Sequence, residues 1–174
     1  MSPTHVFLVG FMGAGKSTVA ALVAERTGLP CVDLDQLIEQ TAGTTIAEIF
    51  SASGEDAFRA METEALARIS AGPPAIVACG GGVVVRPENR RLLREGGFVV
   101  YLQVSAGEAL ARVGDTGTRP LLSGPAGATA ATALLSAREG LYTSVSDVVI
   151  DTCGRSAEII AEEVVQSLKG AGLL

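Results

Sequence analysis

A doubly wound α/β domain, five parallel strands with helices on both faces, is the fold class the sequence predicts, and three observations predict it. Short apolar runs alternate with longer amphipathic stretches along the chain. A glycine-rich turn separates the first apolar run from the first helical stretch, and three consecutive glycines close a later apolar run. The length, 174 residues, suits one domain, 1–174. Hydrophobic residues at 48% and charged residues at 18% supply a buried core and exclude wholesale disorder.

Val6-Phe7-Leu8-Val9 reads as a buried strand, followed by a helix from about Lys16 to Arg26 that stops at Gly28. Cys31-Val32-Asp33 is the second strand, and Asp35 can cap the short helix after it. Thr45 to Phe50 and Glu55 to Ile69 have helical spacing, with Ile46, Ile49 and Phe50, then Phe58, Met61, Ala65, Leu66 and Ile69 as apolar stripes. Ala75 to Cys79 is a strand broken by Gly80-Gly81-Gly82. Pro87 and Gly96 bracket the next helix. Phe98 to Leu102 is a strand, with Ser105 as cap of the helix that follows. The stretch Gly114 to Gly127 carries four glycines and two prolines without periodicity, which in a compact domain marks disorder or a mobile lid. Helix resumes over Thr129 to Arg138, Val148 to Asp151 is the last strand, and Ser156 caps a final helix to Lys169.

Thirteen basic residues against nineteen acidic ones give a net charge of −6, which argues against a nucleic-acid binder, since that needs a basic stripe to displace counterions. A few placed arginines can still make a local pocket for a small anion. Cys31, Cys79 and Cys153 are odd in number and form no C-x-x-C, so neither a disulfide framework nor a zinc site is indicated, and they read as reduced thiols packed as small hydrophobes. No apolar run approaches the length of a membrane span, and Val6 to Val9 is too short for a secretory leader. The expectation is a cytoplasmic monomer without membrane partners. His5, the only histidine, is expected at the surface, and the helix face with Arg90, Arg91 and Arg94 is expected to be solvated.

Gly10-Phe-Met-Gly-Ala-Gly15-Lys16-Ser17 fits G-x-x-x-x-G-K-[ST] between a strand and a helix. Glycines let the backbone curl around phosphates with its N–H groups inward, at a helix N-terminus whose dipole favours anions. Gly13, Ala14, Gly15, Lys16, Ser17 and Thr18 are thus the candidate ATP-binding residues. Lys16 can reach the β and γ phosphates, and the Ser17 hydroxyl can ligate Mg²⁺. The domain is accordingly of the P-loop NTPase type. No Asn-Lys-x-Asp follows either lysine, which excludes a GTPase, and the strand Ala75 to Cys79 ends in glycines instead of the acidic residue of a motor-type ATPase. A small kinase or a nucleotide-binding regulator remains.

Asp33 and Asp35 lie two apart at a strand end and share a face if the extension persists. One can hold Mg²⁺ through its water shell while the other accepts a substrate hydroxyl; alternatively one or both cap the next helix. Taken alone, Arg59 is explained by an i,i+4 ion pair with Glu55. Gly80-Gly81-Gly82 costs backbone entropy, and close approach to a ligand at the carboxyl end of a strand explains three glycines better than a turn does.

Taken together these residues resemble the shikimate kinase family. Arg59, Glu62, Leu66, Ile76, Val77, Ala78, Gly80 to Gly82 and Val84 reproduce its signature in order. The phosphate loop, the Asp33-Leu-Asp35 pair, Arg119-Pro120-Leu121-Leu122, and Arg138 before Leu141-Tyr142 are similar to further family elements, over Val6 to Arg155. The resemblance implies ATP-dependent phosphorylation of the shikimate 3-hydroxyl, giving shikimate 3-phosphate and ADP. It implies Arg59 and Arg138 on the shikimate carboxylate, Asp35 and the Gly80–Gly82 backbone on its hydroxyls, and Asp35 as base. It further implies Asp33 as an outer-shell magnesium partner, Arg119 on the phosphates from the lid, and Arg112 and Arg155 beside adenine. The family often has Pro where this chain has Gly140, and Asp-Thr-Asn where this chain has Asp151-Thr152-Cys153. The alternatives are a kinase of another small acceptor, such as gluconate or a nucleoside monophosphate, and a non-catalytic ATP-binding module.

Overall fold

A computed structural model of the chain describes residues 4–113 and 125–174. Its strands are β1 (His5–Val9), β2 (Cys31–Asp33), β3 (Ile76–Ala78), β4 (Gly97–Gln103) and β5 (Val148–Asp151). Its helices are α1 (Lys16–Thr27), α2 (Leu34–Ala42), α3 (Ile46–Ser70), α4 (Pro87–Gly96), α5 (Ala106–Val113), α6 (Pro125–Val145) and α7 (Ala157–Gly170). The strands form one sheet in the order β2-β3-β1-β4-β5, every neighbouring pair parallel. The expected five-stranded parallel sheet is therefore present.

Alternation along the strands sends side chains to two cores. Val6 and Leu8, with Ile76, Val100, Leu102 and Ile150, pack against Val19, Ala20 and Val23 of α1 and Ile160, Val164 and Leu168 of α7. Phe7 and Val9, with Val77, Val99 and Tyr101, pack against Leu34 and Ile38 of α2, Phe58 and Leu66 of α3, Leu93 of α4 and Tyr142 of α6. The inner strands β1 and β3 and the middle of β4 are buried on both faces and have no polar alternation to show, which is why they read in the sequence as continuous apolar runs.

The register makes Leu8, Ala78 and Asp33 level across three neighbouring strands. The segments that leave their carboxyl ends therefore emerge side by side: the phosphate loop, the triple glycine and the Asp33–Asp35 turn. This is the edge at which open α/β sheets bind ligands.

Several boundaries differ from the sequence expectation. Strand β2 ends at Asp33, and it is Asp33, not Asp35, that caps α2, accepting from the Gln36 N–H at 3.2 Å. The extension does not persist, so Asp35 stands in the first helical turn. The two helical stretches around Gly54 run on as α3, kinked where Gly54 takes φ 81°, ψ 174°. Thr45 and Glu48 close a reciprocal capping box at its start. Ala75 and Cys79 fall outside β3, yet the Ala75 carbonyl accepts from Val6 N–H and Cys79 N–H donates to Leu8 O, each at 3.0 Å. Helix α6 is longer than Thr129 to Arg138 and takes in Gly140. It also takes in residues 125–127 of the expected lid, while 114–124, with Arg119, lie outside the described residues. His5 is buried at 5% exposure, against the expected surface position, because β1 is covered on both sides up to its first residue. Ser105 and Ser156 cap α5 and α7 as expected.

Candidate active site

The phosphate loop joins β1 to α1. Gly13 has φ 78°, and a Cβ there would stand 2.5 Å from the Ala109 carbonyl oxygen, so no larger residue fits the curl of the loop against α5. Gly15 enters α1 in the left-handed region, and the α1 N-terminus follows directly with Lys16, Ser17 and Thr18. Ala14 is fully buried beneath the loop, whereas Gly15, Ser17 and Thr18 face outward. Lys16 Nζ donates to Gly10 O at 2.8 Å and Phe11 O at 2.9 Å, which keeps the ammonium folded over the loop. Ser17 Oγ donates to Asp33 Oδ2 at 2.6 Å, while the other oxygen of the same carboxylate caps α2. A hydroxyl and a carboxylate meeting at a helix N-terminus are the hard oxygen donors that suit Mg²⁺. Among the described residues no group of three or more His, Cys, Asp or Glu gathers to hold a metal.

The three glycines after β3 run between this loop and the side chains of Asp35, Glu62 and Arg59. A Cβ on Gly80 would stand 2.7 Å from Asp35 Oδ1 and 3.2 Å from Glu62 Oε1. One on Gly82 would stand 2.3 Å from both terminal nitrogens of Arg59. On the other flank, the Cβ position of Gly81 is 3.5 Å from the Met12 backbone nitrogen in the phosphate loop. The Gly81 carbonyl accepts from Arg138 Nη1 at 3.4 Å and from Tyr142 Oη, both on α6. Asp35, Arg59 and Arg138 thus converge on a single tripeptide whose back lies against the phosphate loop.

Arg59 is buried, and its guanidinium spans two carboxylates. Nη1 reaches Glu62 Oε2 at 3.0 Å and Nη2 reaches Glu55 Oε1 at 3.2 Å. The expected Glu55 pair is therefore real, but it is the exposed half of a clamp whose other half, Glu62, is 0% exposed. Burial pushes the Glu62 carboxyl above the ordinary carboxylate range, and Asp35 adds to this, while Arg59 and Arg138 pull it back down. Removing one partner of such a buried pair costs about 3–5 kcal/mol, because the other charge is stranded. In the sequence Glu62 stands out only as part of a signature, and its spacing of three from Arg59 on a helix is the signal for a contact. Tyr142, flagged only as a neighbour of Arg138, is fully buried, and burial pushes its phenol up to about 12.

The arginines expected beside adenine differ. Arg112 links three segments, donating to Gly13 O at 3.3 Å, Thr152 Oγ1 at 3.1 Å and Thr152 O at 2.6 Å, and pairing with Glu108. Glu108 also accepts from Gly154 N–H at 3.0 Å, so the loop after β5 is tied to the phosphate loop through this pair. Arg155 turns toward α7, donating to Asp151 O at 2.7 Å and pairing with Glu163. Cys79 is buried and burial drives its thiol upward, so it sits in the core as an inert thiol.

The family model described as shikimate kinase matches residues 12–169. The chain belongs to the shikimate kinase family. A shikimate kinase of Symbiobacterium thermophilum is 43% identical over 97% of this chain and 98% of its own length. Among solved structures, the shikimate kinase of Acinetobacter baumannii in complex with shikimate superposes with a TM-score of 0.94 at 34% identity, covering 99% of this chain and 96% of that one. A gluconokinase of Sinorhizobium meliloti matches at a TM-score of 0.60 with 22% identity, over 97% of this chain and 93% of that one, and so shares the fold alone. As a member of the shikimate kinase family the chain is a kinase that uses ATP, and it has the P-loop NTPase fold. Among the described residues no helix is long and apolar enough to cross a membrane.

Proposed function

We infer that the chain transfers the γ-phosphoryl group of ATP to the 3-hydroxyl of shikimate, releasing ADP and shikimate 3-phosphate. The observation that carries this is the triple glycine, which stands between the phosphate loop and the cluster of Asp35, Arg59 and Arg138. A donor phosphate seated on the loop and an acceptor seated on that cluster would meet across one backbone strand. Gluconate and nucleoside monophosphates are not favoured as acceptors, and a non-catalytic module leaves the clustering of acceptor residues beside the loop without a purpose.

Shikimate carries one carboxylate, for which Arg59 and Arg138 offer charge-assisted hydrogen bonds. Arg59 is already oriented by Glu62 and Glu55, so little ordering is required when the anion arrives. Asp35, in the first turn of α2 and beside Gly80, is placed to accept the 3-hydroxyl and take its proton as the new P–O bond forms. Gly80, Gly81 and Gly82 hold the ring through backbone groups. On the donor side, the loop N–H groups of Gly13, Ala14, Gly15, Lys16, Ser17 and Thr18 bind the phosphates. Lys16 leaves the Gly10 and Phe11 carbonyls to neutralise charge on the transferred group. A loose transition state asks mostly for positioning and charge compensation, which these groups supply.

Ser17 and Asp33 would hold Mg²⁺, the first directly and the second through its water shell, and the ion would neutralise phosphate charge. Arg112, bonded to both the phosphate loop and the loop after β5, would flank the adenine. Arg155 is assigned the same surroundings by resemblance, as Arg119 is assigned to the phosphates. The same reading has the chain working as a cytoplasmic monomer, and its net charge of −6 argues against nucleic-acid partners.

Coupled ADP release with Mg-ATP tests the assignment. Shikimate should elicit turnover, whereas gluconate and a nucleoside monophosphate should not. Equal rates with all three acceptors, or tight ATP binding without phosphate appearing on any of them, would overturn it.

A further inference from the structure

We propose that Tyr142 is a positioning residue for acceptor capture, acting through the Gly81 carbonyl that it shares with Arg138. The proposal rests on the shikimate assignment above and adds to it how Arg138 is released to its substrate. Tyr142 and Arg138 stand one turn apart on α6, and both donate to the same carbonyl oxygen in the middle of the triple glycine. Arg138 reaches the oxygen at 3.4 Å, near the limit for a hydrogen bond, and the Tyr142 hydroxyl is its second donor. Tyr142 is held rigidly, being fully buried and stacked on Tyr101 with ring centroids 5.1 Å apart.

When a carboxylate draws Arg138 away, the Gly81 carbonyl keeps a donor only because Tyr142 remains. Without the phenol, that carbonyl depends on Arg138. Substrate capture would then have to break the last hydrogen bond to the Gly81 carbonyl, and a partly buried acceptor left unpaired opposes binding. The tripeptide would also lose the anchor that fixes the direction of the Gly81 N–H. Tyr101, by contrast, is buried with its hydroxyl unpartnered among the described residues, so it supplies the stack and no hydrogen bond.

The test is Tyr142→Phe, which keeps the ring and removes the donor. The Michaelis constant for shikimate should rise about five- to twentyfold, with that for ATP and kcat changed less than about twofold. In an Arg138→Ala background the same substitution should have a much smaller effect. Tyr101→Phe should leave both constants as in the parent. A parallel rise for both substrates, an unchanged shikimate constant, or full additivity with Arg138→Ala would overturn the proposal. A parent enzyme that does not phosphorylate shikimate would instead overturn the assignment on which it rests.

A second measurement needs no substitution at Tyr142. The chain has only two tyrosines, so 3-fluorotyrosine labelling gives two fluorine resonances, assigned by the one that Tyr101→Phe removes. The Tyr142 resonance should shift on addition of shikimate and stay in place with ATP alone. If shikimate leaves it unmoved, Tyr142 does not sense acceptor capture and the proposal falls.

Discussion

Gly82→Ala isolates the contribution of one contact. The Gly82 backbone lies outside the left-handed region, so alanine strains nothing locally, and the whole effect comes from where its methyl group would fall. That position is 2.3 Å from two nitrogens and 2.5 Å from Cζ of the Arg59 guanidinium. The guanidinium must retreat by about an ångström to reach ordinary van der Waals separation, and it has nowhere loose to go. Its Nη1 is bonded to both oxygens of Glu62, at 3.2 and 3.0 Å, and its opposite edge to Glu55. A shift of that size in a substrate-orienting group costs on the order of a hundredfold in rate. The expected outcome is a fall of about 30- to 100-fold in kcat/KM for shikimate, with ATP affinity retained, measured by coupled ADP release. Gly81→Ala should lose less, because its methyl would meet Met12 N at an ordinary 3.5 Å. If Gly82→Ala kept the parent's kcat/KM for shikimate, the placement of Arg59 on the acceptor would be refuted.

Arg59→Ala and Arg138→Ala should each lower kcat/KM for shikimate by about 2–4 kcal/mol, with the substrate carboxylate left unpaired; turnover at the parent's rate in both would misplace the acceptor. Lys16→Ala should lower kcat about a hundredfold or more in the same assay, since it removes charge compensation on the transferred group, and unchanged turnover would refute its role. Burial lowers the His5 pKa, a hydrogen bond to the Gly72 backbone opposing it. The neutral imidazole is thus favoured in the fold, and its contribution to stability is present above the ordinary imidazole range and lost as pH falls through it toward the lowered folded value. Thermal melts of the parent should therefore decline more steeply below about pH 6.5 than those of His5→Leu; parallel curves would contradict this.

The strands were legible because burial on both faces leaves runs such as Phe98 to Leu102 without polar interruption. The phosphate loop was legible because its glycines are required by backbone shape. Other elements were not. The start of α6, Pro125-Ala-Gly-Ala, is small and carries a proline and a glycine, so in the sequence it reads as the end of the preceding stretch and not as helix. Gly140 stays helical because tertiary packing outweighs a propensity cost of about 1 kcal/mol. Capping by Asp33 could not be told from capping by Asp35, since either side chain suits the role and only the strand's end decides. Within the candidate site, Asp35, Arg59 and Arg138 were singled out, but not that Glu62 lies beneath Arg59 or that Tyr142 shares a carbonyl with Arg138. Such contacts depend on how α3 and α6 approach the sheet, which no local pattern encodes.

The Asp33 carboxylate faces Ser17 with one oxygen and the start of α2 with the other. On the proposed assignment the donor and acceptor sides would be hinged on this one side chain, since whatever draws Asp33 toward a bound cation would also pull on the turn that carries Asp35. A nucleotide mimic that reaches Ser17 would be read on the far wall of the cleft, so inhibitors of the two pockets are expected to influence each other's affinity even without touching.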